Sequence, residues 1–229
     1  MVDGYVLHQR PYRETSVLLE VFARHQGRVG LVARGARRPA STTRGQLRAF
    51  TPLLLSWSGR GELGNLHEVE GRGAVPELTG RALFCGFYLN ELVLRLTERN
   101  DPHPELYVAY ESALASLRAS EPPEPVLRIF ELRLLRALGY GLVLEHEADT
   151  DRPILAERRY RYLRETGPVA DGIAEGDVVS VSGATLLALG REQLDDPVQA
   201  REAKRLLRWL LADLLGPRPL ATRALFRGD

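Results

Sequence analysis

Few residues of this 229-residue chain are placed for bond-making chemistry. Cys85 is the only cysteine, which excludes an intramolecular disulfide and a thiolate zinc cluster. Its neighbours Leu83, Phe84 and Phe87 give it the pattern of a buried, inert thiol rather than a nucleophile. Glu145, His146, Glu147, Asp149 and Asp151 gather carboxylates around one histidine. A metal site needs converging ligands, normally with a second His or Cys, so a solvated acidic loop is the expectation. Gly59-Arg60-Gly61-Glu62-Leu63-Gly64 matches GxGxxG, but the dinucleotide fingerprint requires a helix after the loop, where N–H groups meet the pyrophosphate. The residues that follow, NLHEVEG, read as a strand, so a hairpin turn is expected instead. There is no GxxxxGKS/T phosphate loop and no GxSxG elbow. No catalytic set, cofactor or metal is expected, and the protein is read as a non-enzyme.

Binding chemistry is better represented. Between Glu20 and Glu62 there is no acidic residue, and the stretch Val21 to Gly61 holds Arg24, Arg28, Arg34, Arg37, Arg38, Arg44, Arg48 and Arg60. Over the whole chain 31 Lys+Arg balance 30 Asp+Glu, so the one-signed stretch is a local feature. Residues 1 to 80 carry a net charge of +4 and the remainder −3. Thirty of the 31 basic residues are arginines, Lys204 being the one lysine; arginine offers a planar fork that grips phosphate. A solubilising loop would carry mixed charge, whereas several acid-free arginines on a folded unit point to a polyanion. Each arginine placed on a phosphate releases counterions and gives salt-sensitive, sequence-independent affinity. Ser41, Thr42 and Thr43 could add hydroxyl contacts. Aromatics for base stacking are sparse nearby: Tyr12, Phe22, Phe50 and Trp57, several of which the core needs.

The elements that must hold these arginines are strands. GYVLHQR, SVLLEVFAR and RVGLVARGA read as β, with a hairpin at Gln26-Gly27. ARRPASTTRGQ reads as a long mobile loop, then LRAFTPLLLSWSG and ELGNLHEVEG pair across the glycine turn. Five short strands with one basic loop predict a small Greek-key barrel such as the OB-fold over 1–74, with an SH3-like barrel as the competing topology. From Val75 the apolar period becomes helical: Leu78, Ala82, Cys85, Leu89, Leu92, Val93 and Leu96 form one stripe. DPHPELYVAYESALASLRA and EPPEPVLRIFELRLLRALGYG are further helices, giving a helical domain over 75–141. Residues 142–182 read as an irregular segment with β-like pieces (RYRYLRE, GPVAD), and 183–229 as C-terminal helices packing on the helical domain. The fold class is thus α+β and multidomain.

No apolar run approaches the roughly 18 to 20 residues of a membrane span, and MVDGYVLHQRPYRETS lacks a signal-peptide core. The expected location is the cytoplasm, in association with the nucleoid.

With these segments in place the chain resembles the RecO family of bacterial recombination mediators and DNA-annealing proteins. The matching pieces run from Val6 to Pro39, Leu47 to Leu63, Phe84 to Leu96 and Pro123 to Gly141, with AKRLLR and PLATRALFR near the end. The resemblance covers almost the whole length in order. It implies an N-terminal OB-fold, a central helical bundle, and binding of single- and double-stranded DNA. It further implies annealing of complementary strands without ATP, and action with RecR on strands coated by SSB. A DNA surface centred on the OB-fold would fall here on Arg34, Arg37, Arg38, Arg44 and Arg48, with Arg28 on the adjoining strand. Arg128 matches an arginine that receives the acidic, hydrophobic C-terminal tail of SSB. Many relatives hold zinc through four cysteines after the LGYG motif; this chain has no cysteine between Leu142 and Gly176, so zinc does not transfer and packing must hold that segment. An RNA-binding OB module in translation or ribosome assembly is the alternative, and a nuclease with scattered carboxylates a third reading.

Overall fold

The computed structural model describes residues 1–59, 61–172 and 176–226. Arg60, one of the arginines of the acid-free stretch, lies outside them, as do residues 173–175 and the last three. The chain divides into two compact units, Met1–Ser120 with the chain end from Leu220, and Glu121–Pro219.

In the first unit five strands close a barrel: β1 (Val2–Tyr12), β2 (Ser16–Ala23), β3 (Gly27–Ala33), β4 (Leu53–Ser58) and β5 (Gly64–Gly71). Their order is β1-β2-β3-β5-β4, with β4 pairing back onto β1 (Asp3 opposite Leu54) and β3 running parallel to β5 (Leu31 opposite Gly64). This is the OB-fold barrel the sequence led us to expect. Its interior is filled by Val6, Leu19, Val21, Ala23, Val29, Leu31, Ala33, Leu53, Leu55 and Val69.

The weak alternation of β2 has a physical cause. Leu19, Val21 and Ala23 point into the barrel, while Phe22 on the other face stacks on Tyr107 and Tyr110 at ring-centroid distances of 5.5 and 5.9 Å. A strand covered on both faces has no reason to alternate polar and apolar residues. Tyr107 and Tyr110 belong to α3 (Pro104–Arg118), which with α2 (Gly80–Leu96) covers this side of the barrel. Tyr5 joins the cluster at 5.8 Å from Tyr107 and 5.3 Å from Tyr110. Such aromatic pairs add roughly 0.5–1.5 kcal/mol each beyond the area they bury. The buried Asn90 of α2 locks the layer: its Nδ2 donates to the Leu7 carbonyl at 2.8 Å, and its Oδ1 accepts from Tyr110 Oη at 2.6 Å. Cys85 is fully buried on α2, as its apolar surroundings predict. Glu91 of α2 holds the chain end, accepting from the Ala221 and Thr222 amides at 2.7 and 2.9 Å at the start of the 3-10 turn Ala221–Phe226.

The second unit combines α4 (Pro123–Ala137), α5 (Gly183–Gly190) and α6 (Pro197–Leu215) with a three-stranded antiparallel sheet of β6 (Arg159–Leu163), β7 (Gly167–Ala170) and β8 (Val178–Ser182), in the order β7-β6-β8. RYRYLRE and GPVAD supply β6 and β7; β8, from VVSVS, adds a strand that the sequence pattern left unassigned. Pro197 at the first turn of α6 and the Asp196 carboxylate, which accepts from the Val198 amide at 2.7 Å, fix where that helix starts. The acidic run after the LGYG turn is a tight loop: Glu147 N donates to Arg152 O and Ile154 N to Glu145 O, each at 2.8 Å. Contrary to a fully solvated loop, Glu147 is buried and accepts from Thr150 Oγ1.

Candidate nucleic-acid interface

The basic loop leaves the barrel where β3 ends at Ala33 and re-enters at β4. It is not featureless. Gly35 takes φ +68, which glycine adopts without steric cost, and Arg38 N donates to Gly35 O and Ser41 N to Arg38 O, both at 3.0 Å. A short helix, α1 (Thr42–Gln46), follows. Two small anchors pin the segment: Ala36 and Leu47 are buried with the barrel core. Everything charged between them faces outward, because a guanidinium cannot follow Ala36 and Leu47 into an apolar interior without heavy desolvation cost.

Arg34, Arg37, Arg38, Arg44 and Arg48 are all exposed, outside the barrel core. Arg34, Arg38 and Arg44 have no ion pair or hydrogen bond from their side chains among the described residues. Arg37 reaches back to the turn between β1 and β2, donating from Nη1 to the carbonyls of Arg13 and Glu14 at 3.4 and 3.2 Å, while its amide donates to Thr15 O at 2.9 Å. Arg48 pairs with Glu77 at 2.6 Å, both side chains well exposed; such a pair is worth little and opens easily to a competing phosphate.

Arg28 is a correction to the expected set. Its side chain is 18% exposed and sits 3.5 Å from Glu20, with Nη2 donating to Thr97 O at 3.0 Å. Burial pulls its pKa below the ordinary value, Glu20 opposing that and Arg99 adding to it. Its guanidinium is held between Glu20 on β2 and the Thr97 carbonyl just after α2. The Arg37 contact brings Arg13 alongside the loop; the pairing of β1, β2 and β3 sets both turns at one end of the barrel.

Gly59 and Gly61 have positive φ (+120 and +134) and lead into strand β5, so GxGxxG here is a hairpin turn. Among the described residues no group of three or more His, Cys, Asp or Glu is arranged to hold a metal ion.

In the second unit Arg128 is not where a docking residue would stand. Its side chain is 1% exposed, with Nη2 2.5 Å from Glu131 Oε1 and Nη1 4.0 Å from Glu124 Oε2. Glu124 also accepts from Lys204 Nζ at 2.7 Å; burial raises its pKa, but Lys204 and Arg128 outweigh that and the net shift is downward. A peptide cannot touch Arg128 without displacing the side chains that cover it. Elsewhere in this unit a recess of about 250 Å³ lies beside the Gly139–Gly141 turn, lined by apolar Leu135, Val143, Leu210 and Leu214 and by polar Arg164, Glu165, Thr166 and Asp213. Arg164 stands at its edge, its guanidinium 3.9 Å from the Trp209 ring centre and paired with Asp177 at 3.1 Å.

The first unit is thus a five-stranded OB barrel carrying an exposed arginine loop, and the second a helical unit with a small sheet. Comparison with known proteins names the family. Residues 1–74 match the model for the N-terminal part of recombination protein O, and residues 78–224 the model for its C-terminal part. The chain is 52% identical over 222 residues to the DNA repair protein RecO of Nitrosococcus oceani, covering 97% of this chain and 90% of that one. It is 50% identical over 226 residues to that of Methylococcus capsulatus (99% and 92%) and 48% over 224 residues to that of Azoarcus sp. strain BH72 (96% and 92%). The chain belongs to the RecO family of DNA repair proteins. Among the described residues no helix is long and apolar enough to cross a membrane.

Proposed function

We propose that this protein binds single- and double-stranded DNA through the Arg34–Arg48 loop and anneals complementary strands without nucleotide, metal or covalent chemistry. The observation that carries the reading is the state of Arg34, Arg38 and Arg44: exposed, free of protein partners among the described residues, and held on a loop that Ala36 and Leu47 fasten to the barrel. Two strands repel through their phosphates, and a basic surface lowers that repulsion while leaving the bases free to pair. Arg48 joins when Glu77 is displaced, and Arg37 sets the loop against the β1–β2 turn.

In this reading the protein works with RecR to help load recombinase on SSB-coated DNA, in the cytoplasm at the nucleoid, and is not an enzyme. The second unit receives the acidic, hydrophobic tail of SSB. The recess beside Gly139–Gly141 offers Leu135, Val143, Leu210 and Leu214 to the hydrophobic end of such a tail and Arg164 to its acidic part. Arg128 acts by fixing Glu124 and Glu131 on α4 rather than by meeting the tail.

The test is annealing of complementary oligonucleotides coated with SSB, in EDTA and without nucleotide. Annealing under these metal-free, nucleotide-free conditions supports the reading. Strict dependence on a divalent ion, or no annealing, overturns it.

A further inference from the structure

We propose that Tyr12, with the Arg13 guanidinium close over its ring, is a base-stacking position that gives the DNA surface a preference for single strands. The proposal rests on the reading of the Arg34–Arg48 loop as that surface, and adds to it the one group that distinguishes a base from a phosphate.

Three observations converge on Tyr12. The first is position. His8, Gln9, Arg10 and Pro11 are exposed in succession, so the end of the β1–β2 hairpin has left the barrel core behind, and Tyr12 sits partly exposed at its tip opposite Ser16. The second is coupling to the arginine loop. Arg37 ties its amide to Thr15 O at 2.9 Å and its guanidinium to the Arg13 and Glu14 carbonyls at 3.4 and 3.2 Å. The hairpin tip and the loop are therefore one surface. The third is elimination among the aromatics of the barrel. Phe22 is fully buried under α3, Phe50 is 6% exposed and packs on Phe87 at 5.1 Å, and Trp57, partly exposed like Tyr12, packs against the barrel core on β4 and has no hydrogen bond or cation–π contact with the arginine loop among the described residues. Tyr12 is the partly exposed ring that lies on the loop side of the barrel, and it has a cation beside it, with Arg13 Cζ 5.2 Å from the centroid.

That arrangement is suited to a base. The phenol ring offers a flat apolar face with a cation close by, and base–aromatic stacking with an arginine contribution is tolerant of sequence because every base has a π-face. Arg13 takes φ +52, which turns the chain sharply at this point. A duplex keeps its bases paired inside, so it meets the arginines through phosphate and gives Tyr12 nothing to stack on. A single strand meets both.

The experiment compares three fluorescent probes: an oligo-dT strand, an abasic strand of the same length, and a duplex. The wild-type protein binds oligo-dT more tightly than the abasic strand. Tyr12→Ala loses that advantage, weakening oligo-dT binding roughly 5- to 30-fold and leaving the abasic strand and duplex within two- to threefold, about the scatter of such contributions. Tyr12→Phe keeps the advantage, since stacking does not need the hydroxyl. Tyr12→Leu, which fills the space without a flat face, behaves as Tyr12→Ala and covers the case in which alanine perturbs the hairpin. Equal loss on all probes, no loss on any, or a wild-type protein that does not distinguish oligo-dT from abasic strand overturns the proposal. Failure of the underlying loop reading looks different: combined Arg34→Ala, Arg38→Ala and Arg44→Ala would then leave all three probes unchanged, whatever Tyr12 does.

Discussion

Arg128 and Glu131 form a buried ion pair one turn apart on α4, 2.5 Å between Nη2 and Oε1, with side chains 1% and 0% exposed. Removing one member of such a pair leaves a charge in an apolar interior, which costs about 3–5 kcal/mol. Arg128→Ala is expected to lower stability by that amount, read as a lower urea midpoint, with DNA affinity of the protein that remains folded unchanged. Replacing both members by Met and Gln is expected to recover much of the loss. A stability change below about 1 kcal/mol for the single substitution would contradict the burial.

Glu202 gives the second unit an acid-sensitive joint. Burial pushes its carboxyl up, but Ser182 N at 2.9 Å, Ser182 Oγ at 2.6 Å, Thr185 Oγ1 at 2.8 Å and Arg159 at 3.0 Å outweigh it and hold the pKa at about 2 against an ordinary 4.5. A depressed folded-state pKa contributes stability that is complete above the unfolded value and is lost as pH falls through the folded one. The wild-type urea midpoint is expected to fall between about pH 4.5 and 2 more steeply than that of Glu202→Gln. Parallel curves would remove Glu202 from the account.

Gly27 and Gly35 share φ +68 but not surroundings. A Cβ at Gly27 would lie 1.9 Å from the Asp101 carbonyl oxygen, whereas one at Gly35 meets the flexible Arg38 side chain at 3.6 Å. Gly35→Ala is expected to cost only the roughly 1–2 kcal/mol of a left-handed conformation. Gly27→Ala must also push the α2–α3 connection off the barrel, so thermal unfolding should show a clearly larger loss. Equal losses would mean the connection yields without penalty.

Much of the barrel was legible because its strands are short, β-branched and separated by Gly and polar turns, and the loop was legible because charge asymmetry survives folding. Pairings that depend on register were not. The acid-free stretch ends at Glu20, and the β2–β3 hairpin folds that carboxylate back onto Arg28, while Arg99 arrives from the connection after α2 to share it. Counting charge along the chain cannot see either contact. Arg128 misleads for a similar reason: on a helix whose apolar residues extend round most of its circumference, an arginine three residues before a glutamate is buried with it. The poor alternation of β2 became intelligible only once α3 was seen to cover its outer face.

The central claim is that Arg34, Arg38 and Arg44 bind DNA phosphates, and the salt dependence of single-strand binding tests it most directly. Each phosphate contact to a single strand contributes about 0.7 to the slope of log affinity against log salt. Combined Arg34→Ala, Arg38→Ala and Arg44→Ala is expected to flatten that slope by roughly 2 and weaken binding uniformly across sequences. A triple variant with the wild-type slope would place the DNA surface elsewhere on the protein.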